Sequence, residues 1–424
     1  MGRSIERLTF VTDAPHFGGA ERYIVAMARA ALRRGIRAHI WWLPIACGRN
    51  DVFDGPQTSG LDVDRVPFTR TGTMTGLAQA FREMRKHRQP DALVINASGR
   101  PRFWLLPLLA RTAGIPSVWV HQMVDSRDHR RLRPGWLGGR LEGIHLWRVP
   151  QFVRHRLAAA AARAAIALNA EDRQQIVRWQ RVGRDKIRVV PHGVDLDRFR
   201  FDAAGRDKLR RQWCLPADDA DGPLVIGTAG RLVMGKGIDM LIEAAGLLKD
   251  RGTTCRLVIA GDGEDRADMQ MMANRLGVAD RVQFVGFVQD MPAFYSALDV
   301  FALCSATESF GLALAEAMAC ERVVVGTPTA GARRQIDHGR TGWQLRTFHA
   351  TELADALAAL QEQRERFSAM GHEARRAVAR QFSIDLTLER TLRALSGPAG
   401  HRPTLRWPDM DVLPYATMTA EDLI

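Results

Sequence analysis

An apolar run from Asp299 to Cys304 breaks at Ser305-Ala-Thr-Glu308-Ser309-Phe310-Gly311, then resumes with helical spacing as far as Cys320. A short apolar run that ends in turn residues and passes into a helix is the pattern of a buried parallel strand with its crossover helix. The helical pattern begins at Phe310, so Glu308 stands just ahead of the helix and Glu316 inside it. Their separation is a little over two turns at about 3.6 residues per turn, which lets both carboxylates face one cleft. Gly311 allows a ligand to approach the backbone where the first amide N–H groups of a helix have no helical partner. Such an N-terminus suits a diphosphate. A carboxylate further along can accept hydrogen bonds from two neighbouring hydroxyls, as on a ribose. Taken alone, the pair fits an amphipathic helix with two solvated glutamates equally well.

The rest of the chain repeats the unit. Leu8–Thr12 reads as a first strand, followed by Asp13-Ala-Pro-His-Phe-Gly18-Gly19 and a helix from Ala20 to about Arg34. That is the opening of a doubly wound sheet, with the turn at the carboxyl end where ligands bind. Further strands are expected at Arg37–Leu43, Val63–Phe68, Ala92–Asn96, Ser117–His121, Ala164–Leu168 and Ile187–Val190. Helical patterns lie between most of them, which argues a parallel α/β sheet. Asp218 to Pro223 is a polar joint, and a second series follows at Leu224–Thr228, Arg256–Ala260, Val282–Val285, Val300–Leu303 and Val323–Val325. Glu373 to Leu395 reads as closing helices. At 424 residues the chain exceeds one ordinary core, and two Rossmann-like domains facing across a cleft is the economical architecture.

Charge and cysteine usage narrow the partners. Sixty Lys and Arg against 47 Asp and Glu leave a net charge of +13, which favours anionic partners such as phosphates, nucleic acid or an acidic membrane surface. The five cysteines show no Cys-x-x-Cys spacing, so neither a disulfide framework nor a zinc site is expected. No run approaches a membrane span and the N-terminus lacks an apolar signal core, so a cytoplasmic protein is expected.

Several loops carry chemistry. Gly230-Arg231-Leu-Val-Met-Gly235-Lys236-Gly237 nearly matches the P-loop pattern, but Gly237 replaces the hydroxyl residue that holds magnesium. An NTPase is disfavoured. A loop with Arg231 and Lys236 remains, cations suited to neutralise a departing nucleoside diphosphate; a solvated basic loop is the plain alternative. Gly261-Asp-Gly263-Glu-Asp-Arg266 has Arg where the dinucleotide fingerprint needs glycine, which argues against a nicotinamide enzyme. Asp195-Leu-Asp197 matches a metal-binding Asp-x-Asp only by coincidence. His121 ends an apolar strand, where a lone histidine is more often structural than chemical. Arg127 to Arg163 holds nine arginines against Asp128 and Glu142, interleaved with Trp136, Trp147 and aliphatic residues. That composition suits docking on an anionic membrane face and equally a solvated arginine-rich helix pair. No recognised nucleic-acid module is present, so nucleic acid is not expected as a partner.

Glu308-x7-Glu316 with Ser-Phe-Gly after the first Glu resembles the nucleotide-sugar signature of the family-4 retaining glycosyltransferases (GT-B fold, glycosyl transferases group 1). Gly230-Arg231-Leu-x-x-x-Lys236-Gly237, Gly18-Gly19 and Pro191-His192-Gly193-Val-Asp195 resemble further segments of that family, in order, over most of residues 8 to 395. The resemblance implies a GT-B fold with an acceptor domain over residues 1–200, joined by a C-terminal helix at about 382–424, and a donor domain over 201–381. It implies that Glu316 holds the ribose, that Glu308 contacts sugar hydroxyls, and that amides from Ser309 through Phe310 and Gly311 to Leu312, with Arg231 and Lys236, take the diphosphate. Gly18 and Gly19 touch the donor phosphate, Gly261 lies beside the nucleotide, Val288 reads the base through its backbone, and His121 stands near the reacting sugar. Three positions depart from the family: Gln122 replaces the Asp after that His, Glu321-Arg322 replaces Gly-x-Pro, and Arg334 replaces a Glu.

The function implied is a retaining, metal-independent hexosyl transfer with no cofactor, from a UDP- or GDP-sugar to a glycan or lipid-linked acceptor. Cell-envelope or exported polysaccharide (lipopolysaccharide) biosynthesis is the expected setting, in the cytoplasm or at the inner face of the membrane. A soluble glycan synthase or phosphorylase-like enzyme of the same fold and a non-catalytic sugar-nucleotide-binding member are the alternatives. The latter should lack one of Glu308, Glu316, Arg231 or Lys236, and all four are present.

Overall fold

The structure is a computed structural model describing residues 4–13, 18–43, 58–67, 71, 73–96, 103–122, 151–216 and 222–396. Residues 127–150 of the arginine-rich segment therefore lie outside the described residues; its end forms the helix Gln151–Ala161. No helix among the described residues is long and apolar enough to cross a membrane.

Two all-parallel sheets organise the chain. The first contains β1 (Arg7–Thr12), β2 (Arg37–Trp42), β3 (Asp62–Arg65), β4 (Ala92–Asn96), β5 (Ser117–Val120), β6 (Ala164–Ala167) and β7 (Ile187–Val189), in the order β3-β2-β1-β4-β5-β6-β7. The second contains β8 (Leu224–Ala229), β9 (Cys255–Ala260), β10 (Val282–Gly286), β11 (Val300–Leu303), β12 (Val323–Gly326) and β13 (Trp343–Gln344), in the order β10-β9-β8-β11-β12-β13. Strand order reverses between β1 and β4, and again between β8 and β11. Loops leaving the carboxyl ends of strands at such switch points line the crevice where ligands bind in open α/β sheets. In the second sheet those loops are Gly230–Gly237 after β8 and Cys304–Gly311 after β11. Central strands are buried on both faces, as the apolar runs in β4, β8 and β11 require.

The helix after β11 runs from Leu312 to Ala319, two residues later than its apolar periodicity suggests, because Gly311 adopts φ +78° as its N-cap. β13 has two residues and no sequence signal of its own. The closing segment forms two helices, Phe367–Gln381 and Ile384–Ser396, and the second packs on α1 (Gly19–Arg33) of the first sheet. The chain passes between the sheets at two places that lie side by side. The amide of Val194 donates to the Phe382 carbonyl at 2.8 Å and that of Ile384 to the Val194 carbonyl at 2.9 Å. Gly193 is obligatory there: a Cβ would sit 2.5 Å from the Cα of Ile384. Glu321 stands at φ +60°, the left-handed region that suits the glycine usual at this place in the family.

A buried carboxylate ties the second domain together. Asp299, at the foot of β11, accepts from the Val225 amide at 2.9 Å, Arg206 at 3.2 Å, Arg210 at 3.1 Å and Arg364 at 3.2 Å. Removing one member of a buried charge network strands the others without compensation, at about 3–5 kcal/mol. Asp299→Ala should therefore lower the urea midpoint by that equivalent with an unchanged slope; a midpoint shift worth under about 1 kcal/mol would show that the cluster is not a stabilising centre.

Candidate active site

The loop Ser305–Gly311 is anchored through its carbonyls. Thr327 Oγ1 donates to the Ser305 carbonyl at 2.7 Å, the Gly331 amide to that of Glu308 at 3.0 Å, Asn169 Nδ2 to that of Ser309 at 2.6 Å, and Gln335 Nε2 to that of Phe310. A trans peptide is planar, with its N–H directed opposite to its C=O. Anchoring the carbonyls of Glu308, Ser309 and Phe310 therefore sets the directions of the Ser309, Phe310 and Gly311 amides. These and the Leu312 amide donate to no acceptor among the described residues. Four N–H groups at the start of a helix form a site for an anion. The Phe310 side chain takes no part: it is buried 5.5 Å from the Phe382 ring and 5.7 Å from that of His192.

The facing loop brings the cations. Lys236 Nζ lies 2.6 Å from Glu308 Oε1, which also accepts from Ser305 Oγ at 3.0 Å. Arg231 is exposed on the same loop. The Ala306 amide donates to the Gly235 carbonyl at 2.9 Å, which locks the two switch-point loops together. Gly237 caps the helix Ile238–Asp250 at φ +67°, and a Cβ there would meet the Cys304 carbonyl oxygen at 1.9 Å. The missing P-loop hydroxyl is thus a steric necessity. Gly261 makes the same close approach, its would-be Cβ 1.9 Å from the Gly230 oxygen. Val288, just beyond β10, is half-buried against the core.

Glu316 stands at the domain boundary, bonded to Arg22 and Tyr295. It is 2% exposed, and its Oε2 accepts from Tyr295 Oη at 2.7 Å and Arg22 Nη1 at 3.2 Å. It faces α1 across the domain boundary, while Glu308 engages Lys236; the two glutamates share no partner among the described residues. Arg22, Tyr295, Asn169 and Asp172 belong to the site's framework and escaped the sequence reading. Only Arg22 had a local signal, its place two residues after an Ala that follows the paired glycines. Gly18 donates its amide to Glu21 Oε2 at 2.8 Å, and Gly19 opens α1. Burial raises the Glu21 carboxyl to about 7.

His121, just after β5, is buried between Trp119 and His155, with ring centroids 6.4 and 5.7 Å away. Burial, helped by His155, lowers its pKa to about 3, so it is an uncharged imidazole at neutral pH. None of its contacts among the described residues reaches the signature loop. Its neighbour Gln122 bonds Asn96. Arg334 sits over the Phe382 ring, 5.9 Å from its centroid.

Asp195 is committed to structure: it accepts from Arg33 at 3.0 Å and from the amide of Asp197 at 3.2 Å. Among the described residues one cluster, His39, Asp62 and Asp64, has metal-ligand spacing, but Arg88 already bonds both aspartates at 2.7 Å. A cavity of about 1110 Å³ among Arg7, Arg85, Lys86, Arg111, Ser117 and Lys186 opens at the amino ends of the first sheet's strands, away from the crevice loops. The anion-suited loops lie at the opposite ends of the strands.

Two parallel sheets with anion-suited loops at a switch point are the architecture of GT-B proteins. Anabaena HepE, solved with UDP and glucose, superposes with a TM-score of 0.72 at 20% identity, over 93% of this chain and all of that one. The sucrose-phosphate synthase of Thermosynechococcus elongatus gives 0.70 at 19% identity over 92% of this chain and 99% of that one. In sequence, Glycosyltransferase Family 4 matches residues 17–198 and Glycosyl transferases group 1 matches residues 216–377. The D-inositol 3-phosphate glycosyltransferase of Xylanimonas cellulosilytica is 28% identical over 91% of this chain and 93% of its own length. A GDP-mannose-dependent phosphatidylinositol monomannoside mannosyltransferase of Mycobacterium tuberculosis is 34% identical over 47% of this chain and 53% of its own length. The chain belongs to the family-4, group 1 glycosyltransferases, and it is a glycosyltransferase.

The Gly237 geometry is directly testable. Gly237→Ser, which completes the P-loop pattern on paper, should destabilise the protein by about 1–3 kcal/mol or more through the clash at Cys304. It should confer no magnesium-dependent ATP hydrolysis. A stable variant with new ATPase activity would contradict the steric account.

Proposed function

We propose that this enzyme is a retaining, metal-independent glycosyltransferase that moves a hexosyl group from a nucleoside-diphosphate sugar to a glycan or lipid-linked acceptor. The observation that carries the proposal is the pairing of Lys236 with Glu308 at 2.6 Å beside four undonated amides, Ser309 to Leu312. Ammonium and amides together supply what a departing diphosphate needs, fixed positive charge and hydrogen bonds already in place. Arg231 adds a second cation within reach of the solvent side. Glu308, released from Lys236 when the diphosphate arrives, accepts from sugar hydroxyls, and Glu316 accepts from the ribose. Gly18, Gly19 and Gly261 border the nucleotide, Val288 its base, and His121 the acceptor side.

Transfer with retention follows from attack on the face the leaving group vacates. The acceptor oxygen bonds to the anomeric carbon as the bond from that carbon to the phosphate oxygen breaks, and the acceptor proton passes to the leaving phosphate. Lys236, Arg231 and the amides take up the charge, so no metal is needed for the departure. The relatives' names support the donor and acceptor classes: HepE is described with UDP-glucose, and the mycobacterial relative uses GDP-mannose on a phosphatidylinositol glycoside. Cell-envelope or exported polysaccharide assembly is the setting that best suits those relatives and the basic, tryptophan-containing segment 127–163.

Melting temperatures measured with UDP, GDP, ADP, TDP and NAD test the donor site by mass action. A rise with one of the four nucleoside diphosphates that Glu316→Ala abolishes is the expected result; stabilisation by NAD alone would defeat it. Lys236→Ala should lower turnover about 10²–10³-fold, the effect of losing one charge-stabilising donor. Its melting temperature should fall by only a few degrees, since Lys236 is a partly exposed end of a half-buried pair and such a pair contributes about 1 kcal/mol. Unchanged turnover would remove Lys236 from the chemistry. Turnover should also survive EDTA.

A further inference from the structure

The helix Ala170–Gln180 belongs to the first domain, yet its first turn reaches the signature loop of the second. Asn169 caps the helix by accepting from the Asp172 amide at 2.7 Å. Its Nδ2 donates to the Ser309 carbonyl at 2.6 Å and to Asp172 Oδ2 at 2.9 Å. The other oxygen, Asp172 Oδ1, accepts from Ser309 Oγ at 3.3 Å. Asn169, Asp172 and Ser309 are all buried. Next to them Glu171 bonds Arg333 at 2.9 Å, an exposed pair of little energetic weight.

We infer that Asn169 and Asp172 are positioning residues for sugar transfer: they hold the Ser309 peptide across the domain boundary and so aim the Phe310 amide at the diphosphate. The inference rests on the donor site proposed above. Neither residue touches substrate. Asn169 acts through the Ser309 carbonyl, whose direction dictates that of the next N–H because the peptide is planar. Asp172 acts through the Ser309 hydroxyl and by orienting the Asn169 amide. A hydrophobic residue at either place would leave a buried polar partner unmatched, at roughly tenfold or more in any equilibrium that needs the contact.

The contact is also sensitive to protons. Burial, with help from Glu171, raises the Asp172 carboxyl to about 7. The charged groups near it are Glu171 on its own helix and, bonded to Glu171, Arg333 on the helix Ala330–Gln335. Apart from Ser309, Asp172 returns to water and an ordinary carboxylate pKa of about 3.9. The docked arrangement therefore retains a proton that the separated one loses. Its contribution is complete below about pH 4 and is lost as pH rises through about 7.

Calorimetric binding of UDP and GDP to the full chain between pH 5.5 and 8 tests this. Native protein should bind one of them, more weakly as pH rises. Asp172→Asn, which keeps the shape, still accepts from Asn169 through its oxygen and can donate its amide to Ser309 Oγ but cannot ionise, should flatten that dependence. Asn169→Ser preserves a capping hydroxyl for the helix but lacks Nδ2. It should weaken nucleotide binding about tenfold while the melting temperature stays within a few degrees; a purely structural Asn169 would do the reverse. Asp172→Asn and Ser309→Ala should combine non-additively. Native affinity and pH dependence in both Asp172→Asn and Asn169→Ser would overturn this inference alone. Failure of the native chain to bind either nucleotide would overturn the donor reading and this inference with it.

Discussion

The geometry of this site depends on carbonyls that point away from it. The amides from Ser309 to Leu312 are available because the carbonyls of Glu308, Ser309 and Phe310 are claimed from behind by Gly331, Asn169 and Gln335. Each donor comes from a different packing decision. Gly331 is a glycine because a Cβ would lie 2.2 Å from the Phe310 oxygen, so the helix Ala330–Gln335 can approach only there. Gln335 follows one turn later on that helix. Asn169 arrives from the first domain. Planarity of the peptide converts these three contacts into three aimed N–H groups without any of the donors entering the crevice.

The sheet architecture was legible in the sequence because parallel strands buried on both faces read as continuous apolar runs, as in β1, β4, β8, β11 and β12, whereas the edge strand β3, Asp-Val-Asp-Arg, has no buried residue. β13, with two residues, has none. Local motifs were legible where the chemistry needs particular residues at fixed spacing, as in Lys236 opposite Glu308. The partners that aim the site were not: Asn169 and Asp172 are distant in sequence from the loop they serve and sit in an ordinary helix start, and Tyr295 reaches Glu316 from inside a short helix. The partners of Glu316 were illegible for the same reason. Spacing along a helix says which residues share a face but not which neighbour covers it, and here α1 covers Glu316 with Arg22.

Charge bookkeeping from composition was similarly incomplete. A net charge of +13 invites an anionic partner, yet some of the arginine is spent inside the fold. Asp299 alone gathers Arg206, Arg210 and Arg364, and Glu316 takes Arg22. Arginine suits this work because its planar fork bonds carboxylates and carbonyls at once, as Arg206 does with Asp299 and the Ser296 and Leu298 carbonyls. Basic residues that serve as internal struts add to the formal charge but not to a docking surface.

Glu316 shows how such a strut bears on the proposed donor site. Its carboxylate is already desolvated, so a ribose that bonds it need not meet that cost again. An ionised carboxylate has about four lone-pair directions, and Arg22 and Tyr295 occupy only those of Oε2. Oε1 accepts nothing among the described residues, which leaves capacity for a hydroxyl. Access is the remaining obstacle, since 2% exposure admits no sugar while α1 lies across the helix Leu312–Ala319. Donor binding at Glu316 therefore requires α1 to yield, and the bond energy of the Arg22–Glu316 pair then opposes the donor. Weakening that pair from the Arg22 side, as in Arg22→Ala, should make the nucleotide bind more tightly, the opposite of what Glu316→Ala should do.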